Sequence, residues 1–423
     1  MSQGTLLERI GDWLIDQALA SPPIVETFQH LCVRLQAIGV PVARARLTWP
    51  TLHPLFRAET VLWRHGEQTE FQQFNHQEDS SQDWKTSPIA WMVDHGVTVL
   101  RRRMTGRDPL LDFPLIEELH AEGYTDFVAI RTALAEGPPL PEGRPSNFGI
   151  YVTWATERPA GFTDEDIDAL QRVQRSFAVA CKTAIQPQMT ANITNTYLGP
   201  TVAREVLAGQ IQLGSGSITH ALVWFSDLRN ALHYSEMLDE ASYLELINQY
   251  FGVVATAAID AGGEVLAFIG DAVLAIFPIA ANASGAPDRD ALLQATEAAT
   301  RAAREALAGG ERLNEARSAK GLGSIRFGIA MNIGDVRFGN IGTPRRLSFS
   351  VIGATVNEVS RIEKLTKTLG SPVLATAAVA AGDRDAWMPV GSHVLVGLQE
   401  EMPLFALKPA EGALLETEEP AAA

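Results

Sequence analysis

Residues 262–278, GGEVLAFIGDAVLAIFP, combine two strand-length apolar runs with a Gly-Asp break between them. Apolar runs of this length that are bounded by turn residues are typical of buried strands, and Gly-Asp is a common hairpin turn. The segment therefore predicts two antiparallel strands joined at Gly270 and Asp271.

The segments around this hairpin predict an α+β domain. A strand, THALVWFSD, precedes it and runs into an acidic residue, and a helix at 236–260 lies between them. An alanine-rich helix follows, and IRFGIAMNIGDVRFGNIG predicts another strand pair. The resulting β-α-β-β-α-β order is ferredoxin-like. The remaining predicted elements are a short helix at 203–209, the alanine-rich helix at 291–308, a strand, glycine turn and helix in SFSVIGATVNEVSRIEKLTKTL, and closing strands at 372–376 and 393–407.

The first half of the chain predicts a second α+β domain. Its middle reads as loop-rich, with GPPLPEGRPS as a long turn, and Thr163 is a suitable N-cap for a helix that runs to about residue 186. Pro187 and the polar run after it mark the joint. We therefore predict a sensor-like domain at 1–195, a second domain at 196–408 and a disordered tail at 409–423. The predicted helices lie at 5–19 and 24–38, and the strands at 43–49, 59–64, 69–74, 126–133 and 148–155.

Composition excludes several classes of protein. The formal net charge is −16, which argues against a nucleic-acid backbone as partner. Only Cys32 and Cys181 are present, too few for a disulfide scaffold or a cysteine-built zinc site. No apolar stretch approaches the roughly 20 residues of a membrane span, and the N-terminus is not a secretory signal. These features predict a cytoplasmic protein without a membrane segment.

Asp227 and Asp271 each stand where a strongly apolar strand ends. An aspartate there is costly unless it lies at a rim, is hydrogen-bonded or binds a metal. Two of them on neighbouring strands would form an oxygen-rich site suited to Mg²⁺ or Mn²⁺. The alternative is that both are ordinary turn aspartates.

Asn357 and Arg361 are four residues apart on a predicted helix and therefore share one face. Arginine can stabilise charge that builds up on a phosphoryl group, and asparagine can orient a hydroxyl. The alternative is a solvated helix face on which Arg361 pairs with Glu358.

Four stretches, taken in order, resemble the catalytic domain of class III nucleotide cyclases: ALVWFSDL, GGEVLAFIGDAVLAIF, FGIAMNIGDVRFGNIG and SFSVIGATVNEVSRIEKL. YLGPTVAREVLAG is similar to the lead-in found before many such domains. The resemblance covers roughly residues 196–408, and the rhizobial-type bacterial branch is the most similar. It implies an enzyme that converts a nucleoside triphosphate, by default ATP, to a 3′,5′-cyclic nucleotide and pyrophosphate.

The resemblance also implies a role for each candidate residue. Asp227 and Asp271, with the backbone carbonyl of Leu228, would hold two divalent cations, Mg²⁺ or Mn²⁺, in each active site. Asn357 would position the ribose and Arg361 would stabilise the pentavalent phosphorus. In the family these two come from the partner subunit, so a homodimer with two composite sites is implied.

The chain departs from the family pattern at the substrate base. Adenylate cyclases of this family usually read adenine with a lysine before the IGD motif and an aspartate before VIGxxVN, whereas this chain has Ala267 and Ser348. The glutamate usual in guanylate cyclases is missing from position 267 as well. Neither residue supplies the usual polar contacts, so the base preference cannot be transferred.

Other departures lie at the phosphate end of the motifs. The usual x-G-F-T after the first aspartate is Arg229-Asn230-Ala231-Leu232, and Ala354 replaces the VIGD aspartate. Val396 stands where a triphosphate lysine is common, and Arg345 or Arg346 is a candidate substitute.

Residues 20–190 resemble a GAF-type sensor domain in element order and in GFTDEDIDALQRV. Its histidines, with Cys32, show no metal-ligand spacing and are interpreted as ordinary residues, and its tryptophans as core. These residues are His30, His53, His65, His76 and His95, and Trp63, Trp84, Trp91 and Trp154.

Three functions remain open on this sequence. The first is a signalling cyclase gated by the N-terminal domain, whose small ligand and sign of regulation the sequence leaves open. The second is a catalytically impaired, nucleotide-binding regulatory protein. The third is a cyclase that uses GTP or a pyrimidine nucleotide.

Overall fold

The computed structural model describes residues 3–76, 82–134, 148–395, 397 and 400–409. The chain divides into two compact units, Met1–Tyr197 and Leu198–Ala423. The predicted GPPLPEGRPS turn, Val396 and all but the first residue of the predicted tail lie outside the described residues. Within the described residues, none of the helices is both long and apolar enough to cross a membrane.

The N-terminal unit is built on a six-stranded antiparallel sheet with the strand order β3-β2-β1-β6-β5-β4. Its helices and strands, in chain order, are α1 (Gln3–Ala20), α2 (Ile24–Ala37), β1 (Arg44–Pro50), β2 (Phe56–Arg64), β3 (Glu70–Asn75), α3 (Gln82–Lys85), α4 (Pro88–Asp94), β4 (Val99–Arg103), α5 (Pro114–Ala121), β5 (Asp126–Ala133), β6 (Gly149–Thr156) and α6 (Asp164–Leu198).

Helices cover both faces of this sheet. On one face, α1, α2 and α6 bury a core that includes Phe28, Trp154 and Phe177. On the other face, α4 and α5 cover one end with a smaller cluster around Met92 and Phe127. The predicted helices and strands of this half are confirmed, but the middle is not simply loop, because α3, α4, β4 and α5 lie there.

Helix α6 begins at the predicted cap. Thr163 Oγ1 accepts the Asp166 N–H at 3.1 Å, and the Asp166 carboxylate accepts the Thr163 N–H at 2.8 Å, which is a reciprocal capping arrangement. The predicted end near residue 186 is wrong, since the helix continues through Pro187 to Leu198. Ile185 and Met189, on either side of the proline, are both buried in the core, and this packing holds the helix through Pro187.

The C-terminal unit is built on a second sheet with the strand order β13-β14-β12-β10-β7-β9-β8, and β11 pairs with β10. The order β10-β7-β9-β8 is that of the predicted ferredoxin-like fold. Its helices and strands are α7 (Pro200–Leu207), β7 (Gly216–Leu228), α8 (Ala231–Met237), α9 (Glu240–Asp260), β8 (Glu264–Ile269), β9 (Ala272–Pro278), α10 (Arg289–Ala319), β10 (Phe327–Thr343), β11 (Arg346–Ile352), α11 (Ala354–Thr368), β12 (Val373–Thr376), α12 (Ala377–Ala380), β13 (Trp387–Val394) and β14 (Glu401–Leu407).

The two faces of this sheet carry different helices. Helices α9 and α10 bury the larger core on one face, around Trp224 and Tyr250. Helix α11 packs on the other face through Val359 and Ile362. The hairpin predicted at Gly270 is confirmed, and Gly270 adopts φ +63° there.

The strand pair predicted from residues 325–342 is wrong, because β10 is one long strand that pairs with β7 from Phe327 to Gly339. Gly328 and Gly334 do not form a turn in β10. They make room for side chains of α11. A Cβ at Gly334 would meet the Thr355 side chain, and a Cβ at Gly328 would meet Glu363.

Two predicted helices also have different bounds. The helix predicted at 236–260 is split, because Asp239 accepts the Ser242 N–H at 3.0 Å and caps a new helix, α9. The helix predicted to end at 308 continues to Ala319 through Gly309 and Gly310. A Cβ at Gly310 would lie 2.9 Å from the Phe327 ring, so this glycine allows close packing of the helix on the sheet.

A buried ion pair joins β4, β5 and the segment before α6. The Asp126 side chain is fully buried, and its carboxylate accepts from Arg101 Nη2 at 2.7 Å and from the Phe162 N–H at 3.0 Å. Gly161, at φ +71°, packs directly against this carboxylate. Removal of Asp126 would leave the mostly buried Arg101 guanidinium with only the exposed Asp164 as an acidic partner.

We expect Asp126→Ala to lower the free energy of unfolding of the N-terminal unit by about 3 kcal/mol, since the Arg101 charge would lose its buried partner. Urea unfolding followed by tryptophan fluorescence measures this loss. Asp164→Ala is the matched control, because Asp164 pairs with the same arginine at 3.6 Å but is fully exposed. An equal loss in the two variants would contradict the assignment.

Candidate functional site

Asp227 and Asp271 are brought together by strand register. Asp227 is the next-to-last residue of β7 and lies opposite Ala272 on β9 and Gly328 on β10. Asp271 occupies the turn between β8 and β9, and its carbonyl accepts the Leu228 N–H at 3.3 Å. The pairing of β7 with β9 therefore holds the two carboxylates near each other.

The proximity of the two carboxylates alters their electrostatics. Partial burial, followed by a hydrogen bond to Asp271 and the charge of Asp271, raises the pKa of Asp227 to about 7. Glu363 acts in the same direction and Arg229 in the opposite one. Two carboxylates that repel each other in a half-buried position form an anionic site that a cation would stabilise.

The residues present fit a divalent cation. Carboxylate and carbonyl oxygens are the ligands that Mg²⁺ and Mn²⁺ prefer, and Leu228, which directly follows Asp227 at the end of β7, offers a backbone carbonyl. No cluster of three or more metal-ligating side chains exists among the described residues. Two carboxylates and one backbone carbonyl would leave the other ligand positions of a six-coordinate cation to water or to phosphate oxygens.

A buried pair of hydroxyl groups holds β7 next to Asp227, on the face of the sheet that α9 covers. Ser226 Oγ and Tyr250 Oη lie 2.8 Å apart, and both side chains are fully buried on the α9 face of the sheet. Burial raises the pKa of Tyr250 well above its usual range. Because successive side chains of a strand alternate, this pair places Asp227 on the opposite face, which α11 covers.

An ion pair between Arg229 and Glu363 lies beside the aspartates and was not predicted from the sequence. Arg229 Nη1 lies 2.9 Å from the buried Glu363 carboxylate, and the absence of a side chain at Gly328 makes room for both groups. Burial raises the pKa of Glu363, and the charge of Arg229 opposes this effect. Arg229, at the variable first position of the x-G-F-T motif, thus supplies a guanidinium that pairs with an acid of α11.

Asn230 stands where the x-G-F-T motif has glycine, and it keeps the turn. It adopts φ +61°, the left-handed region that asparagine tolerates better than most residues. A left-handed residue at this position could have been inferred from Asn230 itself, whereas the partner of Arg229 lies 134 residues away in the sequence (363 − 229) and left no local signal.

Asn357 and Arg361 lie on the outer part of α11. Asn357 is exposed and Arg361 is partly exposed, and the Arg361 guanidinium lies close to Gly397. The structure describes both residues and shows no ion pair between Arg361 and Glu358, and the Glu358 carboxylate accepts from Asn332 Nδ2 at 2.8 Å. Within the described part of the chain, no hydrogen bond or ion pair joins Asn357 or Arg361 to the two aspartates.

The two base positions lie on different strands. Ala267 lies on the edge strand β8, next to a bulge in its pairing with β9, and Ser348 is exposed on β11 opposite Ile341. Arg345 and Arg346 lie at the exposed tip between β10 and β11, and Ala354 is the first residue of α11. Where the base would bind stays a prediction.

The candidates in the N-terminal unit have local partners. Cys32 and Cys181 are buried, and burial raises the pKa of both thiols. Trp63 and Trp154 lie in the core, as predicted. Other side chains make short-range contacts: the His53 ring accepts the Leu55 N–H, His65 bonds Gln36, His76 bonds the His53 carbonyl, His95 stacks on Trp91, and Arg57 lies over Trp84.

We expect the stability of the C-terminal unit to depend on pH through Asp227. Its folded pKa lies near 7, above the value of 3.8 expected when unfolded, so the folded state holds more protons and stability falls as pH rises through this window. Asp227→Asn should therefore be more stable than the wild type at about pH 8 and lose that advantage at about pH 4.

Urea unfolding without divalent cations at the two pH values measures this difference. Asp260→Asn, an exposed aspartate at the end of α9, is the control and should show no such pH dependence. A stability difference between Asp227→Asn and the wild type that stays constant with pH would contradict the assigned pKa.

Known proteins resemble part of the chain, although no protein-family model matches it. An adenylate cyclase of Anabaena cylindrica is 32% identical over 173 residues, which cover 40% of this chain and 32% of that protein. Adenylate cyclase 1 of Rhizobium meliloti is 30% identical over 186 residues, 43% of this chain and 26% of that protein. The chain thus spans a third or less of the length of these relatives.

Among solved structures, that of the guanylyl cyclase Cya2 is 26% identical and covers 46% of this chain and 94% of that one, with a TM-score of 0.38. The similarity to adenylate cyclases supports a class III nucleotide cyclase catalytic domain within the chain.

Proposed function

We propose that this protein is a metal-dependent nucleotide cyclase that converts a nucleoside triphosphate, by default ATP, to a 3′,5′-cyclic nucleotide and pyrophosphate. The observation that carries the proposal is the pair of aspartates that strand register holds together at the end of β7. The raised pKa of Asp227 shows that the two neighbouring carboxylates are costly to ionise together, and a bound cation would remove this cost.

Asp227, Asp271 and the Leu228 carbonyl are the groups that would hold Mg²⁺ or Mn²⁺, two ions in each site by family resemblance. When bound, such ions lower the pKa of a ribose 3′-hydroxyl and neutralise charge on the phosphates. The role of the chain is to fix the oxygens that hold them. The Ser226–Tyr250 pair and the Leu228–Asp271 backbone hydrogen bond supply that rigidity.

Asn357 and Arg361 would act on a nucleotide held by the aspartates of a second copy. Their exposure on α11 supports this role, because side chains turned to solvent are available to a partner. Asn357 would orient the ribose. As the 3′-oxygen forms its bond to the α-phosphorus and the bond to pyrophosphate breaks, Arg361 would stabilise the charge on the phosphorus.

The residues at the two base positions depart from the family pattern. Ala267 offers no polar contact and Ser348 offers one hydroxyl, so ATP is held as the default while GTP and pyrimidine nucleotides stay open. A catalytically impaired regulatory protein is the alternative from another class. The N-terminal unit is proposed as the regulatory part, since α6 is the covalent link from it to the cyclase half.

Incubation of the full chain with each of the four nucleoside triphosphates and Mn²⁺ or Mg²⁺ tests the proposal. We expect pyrophosphate and a 3′,5′-cyclic product from at least one of them, and a loss of about 100-fold or more in Asp271→Ala, because one of the two charged metal ligands is removed. Asp260→Ala is the matched aspartate control and should keep full turnover. Tight nucleotide binding without product in the wild type would favour the regulatory alternative.

Composite sites predict recovery of activity in a mixture. Asp271→Ala and Arg361→Ala should each be inactive, but mixed dimers would contain one site with both native residues. Random pairing in an equimolar mixture should restore about a quarter of the wild-type activity. A mixture as inactive as its components, with mixed dimers present by native mass spectrometry, would contradict the assignment of Arg361 to the partner's site.

A further inference from the structure

Glu363 is a charged residue on the face of α11 that packs against the sheet. The Glu363 side chain is 1% exposed, so its carboxylate lies within an otherwise uncharged contact. A carboxylate in such a place is costly unless a positive charge or hydrogen bonds compensate it. The buried residues of this helix recur every three or four positions and are Thr355, Val359, Ile362, Glu363 and Thr366.

Arg229 supplies the compensating charge from the end of β7. Its Nη1 atom lies 2.9 Å from Glu363 Oε1. A Cβ at Gly328 would strike both the guanidinium and the carboxylate, so the ion pair lies directly over this glycine. Gly328 is the residue of β10 that lies opposite Asp227 in register. The ion pair is therefore a neighbour of Asp227 along β7 and across to β10.

Stability gives little reason for a buried ion pair at this place. Two buried charges lose their hydration, and an apolar pair of similar volume often stabilises a protein as well or better. The rest of this contact is apolar, with Val359 and Ile362 in the core. The charges are better explained by the aspartates beside them.

Arg229 is a potential competitor for those aspartates. It follows Asp227 by two residues, and its N–H still pairs with β10, donating to the Arg326 carbonyl at 2.8 Å. Its charge reaches Asp227, since it lowers the pKa of that carboxyl. Among the side chains that the structure describes, no ion pair joins Arg229 to Asp227 or Asp271, and its guanidinium pairs with Glu363 instead.

We propose that Glu363 is a positioning residue of the metal site: it holds the Arg229 guanidinium away from Asp227 and Asp271 and so leaves both carboxylates free for a divalent cation. This inference rests on the metal site of the proposed function. Without Glu363, Arg229 would be a cation without its partner beside two carboxylates. An ion pair between them would occupy carboxylate oxygens and oppose the approach of Mg²⁺ or Mn²⁺ by its charge.

Titration of the full chain with Mn²⁺, followed by the electron paramagnetic resonance signal of the free ion, tests this role without turnover. The binding to be compared is the part that Asp271→Asn removes. We expect Glu363→Gln to weaken it about tenfold, because Arg229 then competes with the cation. Arg229→Gln should bind Mn²⁺ at least as tightly as the wild type, because a positive charge beside the aspartates is removed.

The double variant Arg229→Gln/Glu363→Gln separates this role from a merely structural one. It lacks the ion pair, as Glu363→Gln does, but it also lacks the released guanidinium. We therefore expect its Mn²⁺ affinity to return to within about twofold of the wild type. Binding as weak as that of Glu363→Gln would overturn the proposal, since the loss would then come from the missing pair.

The test does not depend on the folding of Glu363→Gln. If circular dichroism shows that this variant is unfolded, the double variant and Arg229→Gln decide the question. Wild-type affinity in both supports the role of Glu363, and a tenfold loss in either would overturn it.

Glu358→Gln is the matched control, because Glu358 lies on the same helix and also bonds to β10, but through Asn332 at 2.8 Å rather than through Arg229. It should bind Mn²⁺ as the wild type does. Wild-type affinity in folded Glu363→Gln would overturn this inference alone. Equal titrations of the wild type and Asp271→Asn would reject the metal site of the proposed function and this inference with it.

Discussion

In the C-terminal unit, the backbone holds two mutually repelling carboxylates close together. Asp227 is fixed by its place in β7, and Asp271 by the turn whose carbonyl accepts the Leu228 N–H. The pairing of β7 with β9 and β10 is stabilised by a large apolar core, which offsets the unfavourable contact between the acids. The fold therefore holds a high-energy charge arrangement that a cation would relieve, as is common at functional sites.

The surroundings of this pair combine a residue at a variable position of the family motif, Arg229, with one that departs from the motif, Asn230. Arg229 introduces a large cation beside the site, and Glu363 and Gly328 together provide its charge partner and its space. Asn230 keeps the left-handed turn that follows. If Ala267 and Ser348 face the base as the family resemblance implies, they offer one hydroxyl between them, and we propose that shape and backbone groups define the substrate.

The two units place their polar groups in comparable ways. Each has a sheet with one face packed by long helices and a second face on which polar or charged side chains interrupt the apolar packing. In the C-terminal unit these groups are the aspartates and the Arg229–Glu363 pair, and in the N-terminal unit they include Arg131, Tyr151 and Arg46. Such interruptions of the apolar packing cost stability.

Local patterns in the sequence determined the elements, the hairpin at Gly270, the cap at Thr163 and the two aspartates, because apolar period and turn chemistry act over a few residues. The tertiary structure decided what long-range packing controls. Gly334 and Gly310 read as breaks in isolation, yet they lie within a strand and a helix because a side chain there would strike Thr355 or Phe327. The Arg229–Glu363 pair and the alignment of Arg131, Tyr151 and Arg46 depend on strands distant in sequence, so only the folded chain brings them together.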